Sequence, residues 1–149
     1  MKRRLPALIS LAVLVLPALG CLGSPDFTES RSYPEGLRKL EPSNIQLYRS
    51  GKTVYLSNTT ATNFGPSTIW LNQWFKKEVD GFAIGETLKL GLSGFSDEFG
   101  DEFRGGGFFA ARAPDRIVLA ELEIDTERTV ENPTGRVLLP LIVVGQREE

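Results

Sequence analysis

Residues 117–124 indicate the fold most directly; they read Ile117-Val118-Leu119-Ala120-Glu121-Leu122-Glu123-Ile124. The four even-numbered positions are apolar, and positions 121 and 123 between them are glutamates. A period of two residues is typical of a β-strand with one buried face and one solvated face. We therefore predict a strand that turns its even-numbered residues to the core and Glu121 and Glu123 to water.

Other stretches have the same texture of short β-forming runs between turn residues. They are residues 45–49, 53–57, 68–72, 75–79, 87–92 and 137–144. The last run is almost uniformly apolar, as expected for a strand that is covered on both faces or closes a sheet. Pro140 within it lacks the amide proton that a central strand needs, which indicates an edge or a bulge. Residues 127–130 are a further candidate to pair beside residues 117–124.

The spacing of these runs predicts an all-β protein. No segment keeps the 3.6-residue period of an amphipathic helix. Seven or eight short antiparallel strands over about one hundred residues are the pattern of a β-sandwich. We predict an antiparallel β-sandwich, and a small barrel stays open as the alternative because strand spacing alone does not exclude it.

The first residues of the sequence have the three-part layout of a secretory signal. Lys2-Arg3-Arg4 precedes an apolar run over residues 5–16, which is followed by Pro17-Ala18-Leu19-Gly20-Cys21. The run is shorter than the roughly 20 apolar residues that a transmembrane helix needs. Cys21 is the only cysteine, so it has no partner for an internal disulfide. An ordinary signal peptide that is cut elsewhere, leaving Cys21 as a free thiol, is the alternative.

Ala18-Leu19-Gly20-Cys21 resembles the lipobox of bacterial lipoproteins, in which the signal is cut before the cysteine and the cysteine carries the lipid. The resemblance implies a signal peptide over residues 1–20 and an acylated Cys21. It also implies several acyl chains, which matters because one chain alone holds a protein to a membrane only marginally. Leu22 directly follows the cysteine, and by the same resemblance it points to the outer membrane.

The chain after the cysteine divides into a linking segment and a domain. Residues 22–42 contain repeated turn residues and few apolar ones. We predict that residues 21–42 form the lipidated cysteine and a flexible tether, and that residues 43–149 form the β-sandwich. The alternative is that Leu37 and Leu40 form a short turn packed on the domain.

Three stretches of the domain look like immunoglobulin-like and fibronectin type III-like modules. They are Val54-Tyr55-Leu56-Ser57-Asn58, Ile69-Trp70-Leu71-Asn72 and Ile84-Gly85-Glu86-Thr87-Leu88-Lys89-Leu90. The whole chain also resembles short uncharacterised bacterial lipoproteins. These resemblances imply a fold and a location, but they imply no activity because one fold hosts many functions.

Composition excludes several classes of function. Without residues 1–20, the chain has 129 residues with 14 Lys and Arg against 19 Asp and Glu, a net charge of −5. This acidic balance, without a long basic run, argues against nucleic acid as a partner. The chain contains no histidine, and its one cysteine is assigned to the lipid. Ser-His and Cys-His nucleophiles and imidazole-thiolate zinc sites are therefore removed, and we predict no enzyme activity and no cofactor.

An acidic stretch over residues 96–103 is one candidate site. It carries four carboxylates, from Asp97, Glu98, Asp101 and Glu102. Clustered carboxylates supply the oxygen ligands that calcium prefers, so these four are candidate metal ligands. The spacing lacks the alternating Asp/Asn pattern of a calcium-binding loop, which favours a solvated hairpin tip around Gly100, with Phe99 and Phe103 as anchors. A carboxylate-dependent hydrolase using the same four residues is a rival interpretation.

Trp70-Leu71-Asn72-Gln73-Trp74-Phe75 is the second candidate site. If the strand continues to residue 74, then Trp70, Asn72 and Trp74 share one face and are candidate ligand-binding residues that could stack on sugar rings. In the alternative, Trp70 fills the core and Trp74 caps its edge. Burial is the default because aromatic side chains bury large areas and dominate cores.

Together these features predict a lipid-anchored protein of the bacterial cell envelope, exported and held at the outer membrane, with a non-catalytic binding or structural role. Its expected partners are the membrane, through Cys21, and envelope proteins or polysaccharide. The alternative is a carbohydrate-recognition β-sandwich that uses Trp70 and Trp74. Two buried tryptophans would exclude that alternative.

Overall fold

A computed structural model describes residues 31–106 and 112–147, and within these ranges the chain forms nine β-strands and one 3₁₀ helix at Leu92–Gly94. The strands are β1 (Arg38–Lys39), β2 (Ile45–Ser50), β3 (Thr53–Asn58), β4 (Ser67–Leu71), β5 (Phe75–Val79), β6 (Thr87–Gly91), β7 (Ala120–Asp125), β8 (Arg136–Pro140) and β9 (Ile142–Arg147). The predictions for Cys21 and for residues 1–20 lie outside the described residues.

The strands form two sheets that share one core. Sheet 1 has the order β1-β8-β7-β4-β5, and sheet 2 has the order β6-β3-β2-β9. Most neighbouring strands are antiparallel, but β1 pairs with β8, and β2 with β9, in parallel. The predicted β-sandwich is confirmed. In the described ranges it contains nine strands, one more than the upper limit of the seven or eight predicted. Each sheet contains one parallel pair and is therefore mixed.

The core lies between the sheets and is built from alternate residues of every strand except β1, whose two residues are exposed. In β3, Val54 and Leu56 are buried, whereas residues 53, 55 and 57 are only partly buried. Sheet 1 supplies the apolar residues of β4, β7 and β8 to the same cluster. Burying one Leu or Ile side chain contributes roughly 1.5–3 kcal/mol, so this cluster is the main source of stability. Its fully buried strand members are Ile45, Leu47, Val54, Leu56, Ile69, Leu71, Ala120 and Leu122.

The apolar run over residues 137–144 is two strands in different sheets. β8 belongs to sheet 1 and ends at Pro140, whereas β9 belongs to sheet 2 and begins at Ile142. Leu141 stands between them and donates its backbone N–H to the carbonyl of Ala120 at 2.9 Å. Since proline donates no backbone hydrogen bond, it fits the last position of a strand. The irregularity predicted at Pro140 is therefore a crossing between the two sheets.

The prediction that Glu121 and Glu123 face water is wrong. Their side chains are 1% and 4% exposed, respectively, on the face of sheet 1 that points away from the core. The strand also begins later than predicted, because Val118 is 76% exposed and precedes β7. The outer face of sheet 1 is covered by residues 31–40, which we call the N-terminal strap.

The N-terminal strap is part of the fold. β1 adds a strand to the edge of sheet 1 beside β8, and the Leu40 backbone N–H donates to the Leu138 carbonyl at 2.8 Å. The Leu40 side chain packs against the core, and a turn is closed by the hydrogen bond from Leu37 N–H to the Pro34 carbonyl at 3.1 Å. The alternative that we left open for Leu37 and Leu40, a turn packed on the domain, describes this part of the chain.

Residues 127–130 form no strand beside β7, contrary to the prediction. The Thr126 backbone N–H donates to the Gly135 carbonyl at 2.8 Å, and Thr129 and Asn132 exchange backbone hydrogen bonds of 3.1 and 3.2 Å. The Asn132 side chain also donates to the Thr126 hydroxyl at 2.8 Å. These bonds close the loop between β7 and β8 on itself, so its backbone groups do not need a neighbouring strand.

Candidate functional site

Glu123 is the centre of a cluster of polar side chains on the outer face of sheet 1. Arg31 donates from both terminal guanidinium nitrogens to the two carboxylate oxygens, each at 2.7 Å. Arg136 donates to Oε1 at 2.8 Å, and the Trp70 indole Nε1–H donates to Oε2 at 2.9 Å. A buried carboxylate is tolerated only when charges and donors of this kind compensate for the loss of water.

The surroundings of Glu123 shift its pKa in opposite directions. Burial alone would raise the pKa of this carboxyl group. The hydrogen bonds from Arg31 and Trp70, together with the positive charges of Arg31 and Arg136, outweigh burial and hold the pKa below its ordinary value. Glu123 is therefore ionised at neutral pH.

Glu121 lies two residues before Glu123 in β7, on the same face of sheet 1, and is held by Tyr33 and Lys39 of the N-terminal strap. The Tyr33 hydroxyl donates to Oε2 at 2.7 Å, and the Lys39 ammonium donates to Oε1 at 2.8 Å. The Tyr33 ring also meets the Trp70 ring edge to face, with 5.4 Å between centroids and 89° between planes. Burial first, and then the hydrogen bond to Glu121, raise the pKa of Tyr33, so its hydroxyl stays protonated and donates.

The two glutamates therefore fasten the N-terminal strap to the sandwich. All four of their carboxylate oxygens accept hydrogen bonds from described side chains, and three of the donors belong to residues 31–39. This arrangement positions a segment of chain. Because every oxygen of the two carboxylates already accepts a hydrogen bond, the arrangement does not favour acid–base chemistry at Glu121 or Glu123.

Trp70 and Asn72 do not form the ligand-binding row that the sequence predicted. Trp70 is 0% exposed, with its one N–H donor directed at Glu123. β4 ends at Leu71, and Asn72 turns away with a φ of 54°. The Asn72 side chain accepts from the backbone N–H groups of residues 118 and 119 and donates to the carbonyl of residue 116. Both side chains are therefore structural, and the prediction of a shared face with Trp74 is wrong.

The turn that separates these residues from Trp74 is strained. Asn72 and Gln73 have φ values of 54° and 59°, and the Trp74 backbone N–H donates to the Leu71 carbonyl at 3.1 Å. Positive φ at both central positions is the pattern of a type I′ hairpin turn. Asparagine adopts this conformation readily, whereas other side chains lose about 1–2 kcal/mol in it. Gln73 is therefore held in an unfavourable conformation by the turn.

Trp74 lies at the surface with a fixed orientation. Its side chain is 49% exposed, and its indole Nε1–H donates to Asp97 Oδ2 at 3.1 Å. The buried Asp97 carboxylate is itself held, because its Oδ1 accepts the backbone N–H groups of Phe99 and Asp101 at 2.9 and 2.8 Å. The exposed Phe99 ring lies 6.4 Å from the Trp74 ring, tilted by 44°. One edge of the indole is anchored, and much of the ring remains accessible.

Trp74 borders a cavity of about 380 Å³, which we call the Trp74 cavity. Three segments that are distant in sequence meet there: the N-terminal strap, the β4–β5 turn and residues 96–103, which we call the acidic loop. The lining residues are Ser32, Tyr33, Glu35, Gln73, Trp74 and Glu98. None of these six is lysine or arginine, and two of them are carboxylates.

The acidic loop is a hairpin tip and does not gather its carboxylates. Asp97 is buried and is taken up by Trp74 and by backbone N–H groups, as described above, whereas Asp101 and Glu102 are exposed. Within residues 31–106 and 112–147, no three His, Cys, Asp or Glu side chains come together as a group that could hold a metal ion. The candidate metal set of Asp97, Glu98, Asp101 and Glu102 is therefore not assembled. Phe103 is a buried anchor, as predicted, but Phe99 is exposed.

Two other cavities differ in charge from the Trp74 cavity. One of about 480 Å³ is lined by Lys52, Arg104 and Arg112 together with Glu102, and its residues 106 and 112 flank the range that the structure does not describe. The other, of about 330 Å³, opens beside Arg31, Arg136 and the already bonded Glu123. Among the residues that the structure describes, no exposed aromatic ring lines either cavity.

The sequence analysis named two of the residues that line the Trp74 cavity, each for a different candidate site, and did not predict the cavity itself. Trp74 was a candidate ligand-binding residue and Glu98 a candidate metal ligand, and both line the cavity. Tyr33 and Glu35 were missed because they lie in the segment assigned to a tether. Gln73 carried a usable signal, since a short polar stretch between two β-forming runs marks a hairpin turn.

Comparison with known proteins gives no family for this chain. It matches no protein-family model, and no curated protein or solved structure matches it. In the described ranges, no helix is long and apolar enough to cross a bilayer.

Proposed function

We propose that this protein is a lipid-anchored component of the bacterial cell envelope, attached through Cys21 at the outer membrane, with a non-catalytic binding or structural role. The observation that carries the proposal is the place of the chain's only cysteine, directly after Leu19-Gly20 and shortly after an apolar run with a basic start. Acylation of that cysteine through several chains would give lasting attachment.

The N-terminal strap supports this proposal through geometry. Arg31 is fastened to Glu123 on the sandwich, so nine residues separate Cys21 from a fixed point of the domain. The ten Cα–Cα steps from Cys21 to Arg31 span at most about 36 Å when fully extended. A lipid on Cys21 would therefore hold the sandwich close to the membrane surface.

The non-catalytic part of the proposal rests on the available side chains. The chain contains no histidine, and the carboxylates of Glu121, Glu123 and Asp97 are occupied by the hydrogen bonds described above. The hydrolase alternative would have to rely on Glu98, which is partly exposed, and on Asp101 and Glu102, which are exposed. The hydrolase alternative would be supported if the wild-type chain hydrolysed a substrate and lost this activity when Asp97, Glu98, Asp101 and Glu102 were all changed to Ala.

Intact mass tests the anchor. Cells expressing the wild-type chain, the Cys21→Ser variant and the control variant Ser24→Ala would be separated into membrane and soluble fractions, and the chain in each fraction would be weighed. We expect a mature chain that starts at Cys21 with added acyl mass in the membrane fraction of wild type and of Ser24→Ala, but not of Cys21→Ser. An unmodified wild-type chain in the soluble fraction would contradict the proposal.

Carbohydrate recognition remains the second candidate function, in an altered form. Trp70 is buried and therefore has no place on a binding surface. Trp74 alone is half-exposed, and it lies beside an amide and two carboxylates in the Trp74 cavity. A binding role that uses this cavity is compatible with the lipid anchor.

A further inference from the structure

We infer that the Trp74 cavity is a binding site for a neutral pyranose ring of a glycan. This inference rests on the binding role proposed above and specifies its ligand. The volume of about 380 Å³ lies within the range of small-ligand sites, which bind mainly through an apolar surface and a few well-placed polar groups.

Trp74 supplies the apolar surface. The flat face of a pyranose ring carries C–H groups, which pack on the negative face of an aromatic ring. The bond from Nε1 to Asp97 fixes the indole by one edge and leaves the face accessible. Because the ring is already oriented, little side-chain freedom is lost when a ligand stacks on it.

The polar lining suits hydroxyl groups. Glu35 and Glu98 offer carboxylate acceptors, and the Gln73 side chain offers both an acceptor and donors. A sugar hydroxyl donates to the former and can donate to or accept from the latter. The two carboxylates among the six described lining residues would repel phosphate, sulfate and acidic sugars.

The strain at Gln73 agrees with a binding role. Non-glycine residues held at positive φ cluster at functional sites, where the surrounding structure maintains a costly conformation. The φ of 59° at Gln73 sets the direction in which its amide leaves the backbone, next to Trp74. The surrounding structure that maintains this conformation includes the Asn72 side chain, which is hydrogen-bonded to the backbone of residues 116, 118 and 119.

An amine is the competing ligand, since two carboxylates and an aromatic ring also attract a cation. Recognition of quaternary ammonium groups uses several aromatic faces around the charge. Trp74 presents one face here, and the tilted Phe99 ring lies 6.4 Å from it. The single face with an amide favours the sugar.

Titration of the full-length Cys21→Ser chain tests the inference independently of lipid attachment. The probes are chitohexaose and cellohexaose, two neutral glycans with flat rings, and choline as the amine. Binding would be measured by calorimetry and by tryptophan fluorescence, in which the exposed Trp74 responds and the buried Trp70 does not. We expect binding of at least one glycan and weaker or no binding of choline.

Variants connect this binding to the Trp74 cavity. Trp74→Ala should weaken glycan binding at least tenfold, and Trp74→Phe, which keeps an aromatic face but loses the bond to Asp97, should weaken it less. Glu98→Gln should weaken it severalfold. Tyr48→Ala, which removes an exposed aromatic ring on β2 in the other sheet, should leave it unchanged.

Three outcomes would overturn the inference: binding of neither glycan by the folded chain, unchanged binding in both Trp74 variants, or choline binding that exceeds glycan binding. Far-ultraviolet circular dichroism identifies any variant that fails to fold, and Glu98→Gln, at a partly exposed position, then carries the test. Failure here leaves the acyl mass on Cys21 unaffected. An unmodified Cys21, in turn, would leave the titration unaffected.

Discussion

Glu123 joins two arginines and a tryptophan across the outer face of sheet 1, so its substitution tests the cluster directly. In Glu123→Gln the charge is lost and an amide N–H₂ group faces the donors of Arg31. We expect a loss of about 2 kcal/mol in the free energy of unfolding, below the value for a fully buried ion pair because both arginines are partly exposed. Urea denaturation measures it, with the exposed Glu127→Gln as the control, for which we expect less than about 0.5 kcal/mol.

The same residue predicts a pH dependence of stability. The pKa of Glu123 in the folded chain lies below its ordinary value of 4.5, so the folded state favours the ionised form. Its contribution is complete above the unfolded pKa and is lost as the pH falls from about 4.5 through the folded pKa. The difference in unfolding free energy between wild type and Glu123→Gln should therefore shrink with acidification. A difference that stays constant from neutral pH down to pH 3 would contradict this account.

The burial of these glutamates could not be predicted from their own stretch of sequence. Alternation along β7 indicates which side chains share a face, but it does not tell whether a second segment covers the polar face. The partners are distant along the chain: Arg31 is 92 residues from Glu123, and Tyr33 is 88 residues from Glu121. Only the pairing of opposite charges between the two segments carried a signal, and charged residues are common in both.

The β4–β5 turn gives a prediction at the scale of an element. Gln73→Gly should raise the free energy of unfolding by about 0.5–1 kcal/mol, because glycine adopts positive φ without strain. Asn72→Gly also places glycine at positive φ, but it removes three side-chain hydrogen bonds, so it should lower stability by about 1–2 kcal/mol. The pair is measured by thermal and urea denaturation. Equal effects in the two variants would show that the conformation of the turn alone sets its stability.

The strands themselves were well predicted where one face meets the core and the other meets solvent or side chains of intermediate burial. The predicted ranges 45–49, 53–57 and 75–79 match β2, β3 and β5 to within one residue at each end. Prediction failed where the environment changes along one apolar run, as at Pro140. The sequence marks a break there, but the entry of β9 into the other sheet depends on the parallel partner β2, which lies far away in sequence.

At the scale of the whole molecule, the sandwich could be predicted and its closure could not. Many short strands between turns favour β-sheets packed around one core, whichever way the strands are connected. The parallel pairs β1–β8 and β2–β9 join distant segments, so no local pattern reveals them. The Trp74 cavity depends on the same closure. Trp74 and Glu98 were candidates by residue type, whereas Tyr33 and Glu35 reach the cavity because the N-terminal strap docks on sheet 1.

The docking of the N-terminal strap leads to the last prediction, that the strap is a stably paired part of sheet 1. The Leu40 backbone N–H is bonded to the Leu138 carbonyl at 2.8 Å, and the Ser43 N–H to the Pro140 carbonyl at 3.0 Å. In a hydrogen-exchange measurement, the amide protons of Leu40 and Ser43 should exchange with solvent about as slowly as those of β8. Exchange as fast as that of an unstructured peptide would instead support a flexible tether through residue 42.

A variant of the N-terminal strap separates its fastening from the stability of the core. Arg31→Ala combined with Tyr33→Phe removes donors to both buried glutamates and should accelerate Leu40 exchange by one to two orders of magnitude, since about 1.4 kcal/mol corresponds to tenfold. Arg38→Ala, which removes only an exposed ion pair of 4.0 Å, should not. The amides of β2 and β3 should keep their protection in all variants, because those strands pair within sheet 2. If β2 and β3 lose protection together with Leu40, the strap closes the core as well as covering sheet 1.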